Sequence, residues 1–159
     1  MSQTFPTTKE NLKAAFEELR KNLPLLELGE REINGCKMNH FVNAPKSSRE
    51  MYDLVQMLHG DFPFVHENGK ELNLSEVLLK AKSLANTLHK NGIKANDFVG
   101  ISMQNCTEWI IAYLGITGLG ATCVPFNSWW KENELSYGIE HSECTVSYTH
   151  LTLPTNVQV

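Results

Sequence analysis

The sequence has no excess of basic residues. Its 14 Lys and Arg residues are outnumbered by 18 Asp and Glu residues, which gives a net charge of -4 at pH 7. Proteins that bind nucleic acid or anionic lipid electrostatically present a basic surface, and this composition supplies none. We therefore expect no nucleic-acid partner.

Paired cysteines and a leader sequence are also lacking. The four cysteines are widely spaced without a C-x-x-C pair, and residues 1–10 contain no apolar core of a secretory signal. Such a pattern is typical of reduced thiols in a protein that is not exported. We expect a cytoplasmic location.

Long charge-free runs are rare, and the one at residues 109–126 requires a membrane check. Its length approaches that of a membrane-spanning helix. However, it contains Gly115, Gly118, Gly120 and Pro125, residues that interrupt elements of soluble proteins. The run predicts a helix followed by a buried strand, and no membrane span.

What is present is the composition of a globular domain, with 42% hydrophobic and 20% charged residues. The first half of the sequence predicts short helices and hairpins. A capping-box pattern at Thr7 and Glu10 begins a helix that Pro24 ends. The remaining elements are a hairpin around Asn34-Gly35, a helix over 49–59 and a hairpin around Asn68-Gly69.

The second half predicts alternating helices and strands. Asn73 and Glu76 form a second capping-box pattern, and Gly92 ends the helix that they begin. The elements that follow are a strand over 98–103, a helix over 107–118 capped by Asn105 or Thr107, a strand over 121–126 and a helix over 131–141. Strand, helix and strand at this spacing predict a right-handed parallel βαβ unit. The fold class is therefore α/β, with N-terminal helices and a hairpin leading into a parallel sheet.

Four segments together resemble the adenylate-forming superfamily of acyl-CoA synthetases, luciferases and peptide-synthetase adenylation domains. DFVGISMQN at 97–105 resembles the family's G-D-x-V-x-I-x-x-x-N, although Asn96 stands where the family usually has Gly. GLGATCVPFN at 118–127 is similar to G-A-x-x-V-P-x-N. LNLSEV at 72–77 and ELSY at 134–137 match two further family patterns.

The resemblance covers residues 25–146 and divides the chain into a helix at 1–24, a partial AMP-binding domain at 25–146 and a tail at 147–159. The segment from Glu30 to Pro45 and the Trp129-Trp130 pair are similar to a bacterial long-chain or aromatic acyl-CoA synthetase branch. The resemblance implies that the parent protein is a ligase of fatty acid metabolism with ATP, Mg²⁺ and coenzyme A as cofactors. A carboxylate is adenylated and then transferred to the thiol of coenzyme A.

The family's phosphate-binding loop, rich in Ser, Thr and Gly and ending in Lys, is absent, as is its mobile C-terminal domain with a catalytic Lys. The only glycine cluster, GITGLG at 115–120, lies between a helix and a strand, which favours packing over phosphate binding. We therefore expect a truncated synthetase that is inactive alone.

The tail VSYTHLTLPTN at 146–156 departs from the family and resembles translated sequencing-adapter DNA. On that interpretation residues 147–159 are non-native. The alternative is a natural short strand with a polar tail, which the β-forming residues of 146–153 permit.

Other candidate sites favour structural roles. His141 and Cys144 lack the further ligands that a structural zinc site needs. Glu132 and Glu134 fit the first turn of a helix. Trp129 and Trp130 either pack at a strand–helix corner or border an acyl or pantetheine channel.

The six histidines form no triad pattern with a Ser or Cys nucleophile. We assign no catalytic, cofactor-binding or metal-binding residue to the chain. Two alternatives to a truncated synthetase stay open, namely a small standalone βαβ binding module and one half of a split enzyme.

Overall fold

The computed structural model describes residues 8–144 and the backbone of residues 146–148. The chain divides into two compact units, Met1–Pro45 and Lys46–Val159. Each unit is described by itself.

The first unit begins with helix α1, Lys9–Asn22. The hydroxyl of Thr8 accepts a hydrogen bond from the backbone N–H of Asn11 at 3.2 Å, so Thr8 is the N-cap. The prediction that Thr7 caps this helix is wrong by one residue, because two adjacent threonines give the same local pattern. A 3₁₀ turn, Pro24–Leu26, follows the helix and confirms the stop at Pro24.

A hairpin completes the first unit, with β1, Leu28–Ile33, antiparallel to β2, Cys36–Phe41. Asn34 and Gly35 have φ values of 49° and 79°. Left-handed conformations at both central residues make a type I′ turn, which Asn-Gly favours. The predicted turn is confirmed.

The second unit begins with helices and a second hairpin. Helix α2 is Ser48–His59, β3 is Pro63–Glu67, β4 is Lys70–Asn73 and α3 is Leu74–Lys90. The side chain of Asn73 accepts a hydrogen bond from the backbone N–H of Glu76 at 2.9 Å, and the side chain of Glu76 accepts one from the backbone N–H of Asn73 at 2.8 Å. These two bonds confirm the predicted capping box.

The rest of the unit alternates strands and helices. The elements are β5, Phe98–Ile101, α4, Thr107–Leu119, β6, Thr122–Pro125, α5, Glu132–His141, and β7, Val146–Tyr148. Strands β6, β5 and β7 form one sheet in that order, and both neighbours run parallel to β5. The predicted βαβ unit and the α/β fold class are confirmed.

Strand β7 places Ser147 and Tyr148 beside β5, in register with Gly100 and Ile101. These two residues fall in the segment predicted to be non-native, and residues 149–159 lie outside the described residues. The division of the chain at residue 147 therefore stays a prediction.

Helices α3 and α4 pack against each other and against β5 to form the core. Val77, Val99 and Ile101 are fully buried, and Ile116 is 1% exposed. A Cβ atom at Gly115 would lie 2.9 Å from the carbonyl oxygen of Ala81, so glycine permits this close approach. The described part of the chain contains no helix with both the length and the apolarity that a bilayer crossing requires.

Candidate functional site

The carboxyl edge of the parallel sheet is the candidate site, because ligands of open α/β sheets bind beyond the carboxyl ends of the strands. Two connections leave that edge in this chain. One joins β5 to α4 across residues 102–106, and the other joins β6 to α5 across residues 126–131.

The start of α4 is capped from a distant strand. Cys106 is the N-cap residue, but its side chain makes no capping hydrogen bond, so the predicted cap at Asn105 or Thr107 is wrong. Instead, the carboxylate of Glu67 on β3 accepts hydrogen bonds from the hydroxyl of Thr107 at 2.6 Å and from its backbone N–H at 3.3 Å. Sequence reasoning missed Glu67 because no local pattern links two residues 40 positions apart.

This carboxylate changes what the helix end can bind. Helix N-termini attract phosphates because their N–H groups are unpaired and carry positive partial charge. At α4 the Glu67 carboxylate already meets that charge, and Thr107 is 9% exposed. The Glu67 carboxylate therefore occupies the place that a bound phosphate would take at the start of α4.

The second connection holds the two adjacent tryptophans differently. The side-chain oxygen of Asn127 accepts the backbone N–H of Trp129 at 3.0 Å, an Asx-type turn. Trp130 packs against Phe126 with ring centroids 6.1 Å apart, whereas Trp129 is 81% exposed. Trp130 thus occupies the strand–helix corner, and Trp129 projects from it.

A glycine on α5 makes room for this aromatic pair. A Cβ atom at Gly138 would lie 2.7 Å from the ring of Trp130 and 3.3 Å from that of Phe126. Phe126 also lies against Gly100 of β5, where an added Cβ would lie 2.5 Å from the ring. The two glycines fix the position of the aromatic rings relative to the sheet.

The glycine cluster at 115–120 lies in the last turns of α4. Gly120 has a φ of 88° and its N–H bonds the carbonyls of Ile116 and Thr117, so it is a left-handed helix cap. The cluster ends a helix and presents no row of free N–H groups to a phosphate. Its place in the fold supports the structural interpretation.

Glu132 and Glu134 both lie in the first turn of α5, and Glu134 makes a local contact. Glu134 accepts the backbone N–H of Lys131 at 2.9 Å. His141 stacks on Tyr137 with centroids 5.4 Å apart, and the hydroxyl of Ser142 donates to the sulfur of Cys144 at 3.2 Å. In residues 8–144 no group of three His, Cys, Asp or Glu side chains is placed to hold a metal.

The thiols near the sheet are not poised as nucleophiles. Burial, and to a smaller extent the nearby Cys144, raise the pKa of the Cys123 thiol to about 11. Burial also raises the pKa of Cys106. Because the thiolate is the reactive form, both thiols are protonated and inert near neutral pH.

The start of α4 does not fit a nucleotide phosphate. Glu67 occupies the N-terminus of α4, where a phosphate would otherwise bind. The sequence also lacks a Ser/Thr/Gly-rich loop ending in Lys. We assign no step of nucleotide chemistry to side chains of this chain.

Comparison with known proteins supplies the family. The sequence profile described as AMP-binding enzyme matches residues 55–158, a range that includes part of the predicted non-native tail. The chain is 34% identical over 83 residues to a linear gramicidin synthase of Brevibacillus parabrevis, a match that covers 52% of this chain and 1% of that protein. It is 32% identical over 81 residues to a long-chain-fatty-acid–CoA ligase of Bacillus subtilis, covering 51% and 14% respectively.

A crotonobetaine/carnitine–CoA ligase of Proteus mirabilis is 30% identical over 100 residues, which cover 60% of this chain and 19% of the ligase. The chain thus spans less than a fifth of these relatives.

Solved structures show the same fold. The N-terminal subdomain of NpsA from Klebsiella oxytoca matches with a TM-score of 0.63 at 19% identity, covering 70% of this chain and 30% of that one. The anthranilate CoA ligase AuaEII, in complex with anthranoyl-AMP, matches with a TM-score of 0.61 at 21% identity, covering 65% and 20%. The α/β architecture is that of the N-terminal domain of adenylate-forming enzymes.

Proposed function

Because the chain belongs to the AMP-binding enzyme family, we propose that it is the N-terminal part of an ATP-dependent acyl-CoA synthetase. The observation that carries the proposal is the family match over residues 55–158. In the proposed reaction a carboxylate attacks the α-phosphorus of ATP, which gives an acyl-adenylate and pyrophosphate. The thiol of coenzyme A then displaces AMP and forms the thioester.

The proposed partners of the longer protein are a small carboxylate, ATP with Mg²⁺, and coenzyme A. Two of the relatives described above are named as CoA ligases, and this supports a thioester product. We propose a cytoplasmic location and a role in fatty acid metabolism on the same ground.

We further propose that this chain is inactive by itself. Catalysis of phosphoryl chemistry depends on positioned charges around the phosphates. The chain lacks the loop that would supply them, and Glu67 occupies the start of α4, the helix that follows β5. The adenylating site of the longer protein therefore lies outside this chain.

An exchange assay tests inactivity. The purified 159-residue chain is incubated with ATP, Mg²⁺, labelled pyrophosphate and, in turn, acetate, hexanoate, palmitate and benzoate. We expect no carboxylate-dependent exchange, with a full-length acyl-CoA synthetase as the positive control. Exchange that co-purifies with the chain would show that it holds a complete site.

The genomic sequence beyond the codon for Thr145 tests membership of a longer synthetase. We expect an in-frame continuation that encodes a Ser/Thr/Gly-rich loop, and its full-length product should form acyl-CoA from ATP and a carboxylate. A stop codon after Val159 in independent reads would instead favour a standalone module. Exchange restored by adding a separately encoded downstream polypeptide would identify a split enzyme.

A further inference from the structure

A groove away from the sheet edge lies between helices α2, α3 and α4. Its volume is about 320 Å³, within the lower range of small-molecule sites. One wall is apolar and includes Ala85 and Leu114, whereas the rim carries four polar or charged side chains: Arg49, Asp53, Lys82 and Asn86.

Specific contacts hold the walls in place. The Nε atom of Arg49 donates to the carbonyl oxygen of Gly118 at 3.1 Å, and the hydroxyl groups of Tyr52 and Thr117 lie 2.7 Å apart. These bonds join α2 to the end of α4. An ion pair of 3.0 Å between Lys82 and Asp53 joins α2 to α3. The groove is therefore formed before any ligand arrives, which lowers the entropic cost of binding.

The rim retains hydrogen-bond donors. Arg49 uses Nε in its bond to Gly118, while its two terminal nitrogens have no protein partner within residues 8–144. The side chain of Asn86, which lies on α3, likewise makes no hydrogen bond in that range. Since Lys82 and Asp53 offset each other, Arg49 gives the rim a net positive charge of one.

We propose that this groove binds a small monoanion with an apolar body, such as a short aliphatic or aromatic carboxylate. The planar guanidinium of Arg49 matches a carboxylate with two parallel hydrogen bonds. The hydrocarbon part lies against Ala85 and Leu114.

Titration of the full chain with benzoate and hexanoate tests the site. Amide NMR shifts, measured at a concentration where the chain is monomeric, should saturate with a dissociation constant of order 1 mM. Neutral benzamide should bind at least tenfold more weakly, since it lacks the charge that pairs with Arg49. The Arg49→Gln variant should weaken benzoate binding by tenfold or more, and Lys80→Gln, on the same helix as Lys82 but outside the groove, should leave it unchanged.

A second variant keeps the test decisive if Arg49→Gln fails to fold. Ala85→Phe places a ring in the groove without removing a charge, and it should abolish the shifts. The proposal is overturned if the chain shows no saturable shift up to 10 mM of either carboxylate. It is also overturned if benzamide binds as well as benzoate, or if a folded Arg49→Gln or Ala85→Phe variant binds like the parent chain.

Discussion

Removal of the Glu67 carboxylate is the most informative perturbation of the second unit. Its oxygen accepts two hydrogen bonds from Thr107, one from the hydroxyl at 2.6 Å and one from the backbone N–H at 3.3 Å. Since Cys106 supplies no side-chain cap, no other side chain caps the first turn of α4 in the described residues. Glu67→Ala should therefore destabilise the helix start and the hairpin that carries Glu67.

The size of the loss follows from the two contacts. A hydrogen bond to a charged partner contributes about 1.5–3 kcal/mol, and the favourable charge at a helix N-terminus adds about 0.3–1 kcal/mol. The backbone contact is long and adds little. Because Glu67 is only partly buried, we expect Glu67→Ala to lower the free energy of unfolding by about 2–3 kcal/mol. Glu67→Gln keeps an acceptor and should cost about 1 kcal/mol.

Urea unfolding followed by tryptophan fluorescence measures this loss, because all three tryptophans lie in the second unit. A double-mutant cycle with Thr107→Val should give a coupling energy of at least about 1 kcal/mol. Glu71→Gln is the matched control, since its side chain is 58% exposed and lies 3.9 Å from His66. The reasoning is refuted if Glu67→Ala behaves like this control, or if the Glu67 and Thr107 effects are additive.

Two further predictions concern the packing and the thiols. Gly138→Ala should destabilise the second unit by about 1–2 kcal/mol because its methyl group meets the ring of Trp130 at 2.7 Å; Gly118→Ala, whose nearest neighbour is Tyr52 at 3.7 Å, should be neutral or stabilising in the same urea assay. Equal losses would contradict the steric argument. Stability should fall as pH rises from about 9 to about 11, because folded Cys123 keeps a proton that the unfolded chain releases near 9.0. Urea midpoints across this range should fall less in Cys123→Ala, and an unchanged slope would contradict the assignment.

Features that depend on neighbouring residues were predictable from the sequence. The Asn34-Gly35 and Asn68-Gly69 turns have positive φ at both residues, and the Asn73–Glu76 box closes as its spacing requires. In each case the side chain or backbone acts on residues no more than three positions away. In these segments the local preference and the assembled fold agree.

The cap of α4 illustrates what local reasoning does not reach. Asn105 and Thr107 are both good capping residues, yet Cys106 takes the N-cap position. The choice depends on where β3 brings Glu67, which is a property of the assembled fold. The groove between α2, α3 and α4 is hidden from the sequence for the same reason, since its lining combines Arg49 of α2 with Gly118 of α4.

The segments that resemble the AMP-binding family are informative about the fold because their residues determine backbone conformation and packing. Asn96 stands where the family usually has Gly, and its φ of 72° explains both choices, because Asn is among the few residues that enter the left-handed region readily. Gly120 caps α4 with a φ of 88°, and Phe126 fills the space above Gly100. Each of these residues meets a requirement of the backbone or of packing. The sequence therefore predicts the architecture well, whereas the adenylation proposed for a longer protein rests on residues that this sequence does not include.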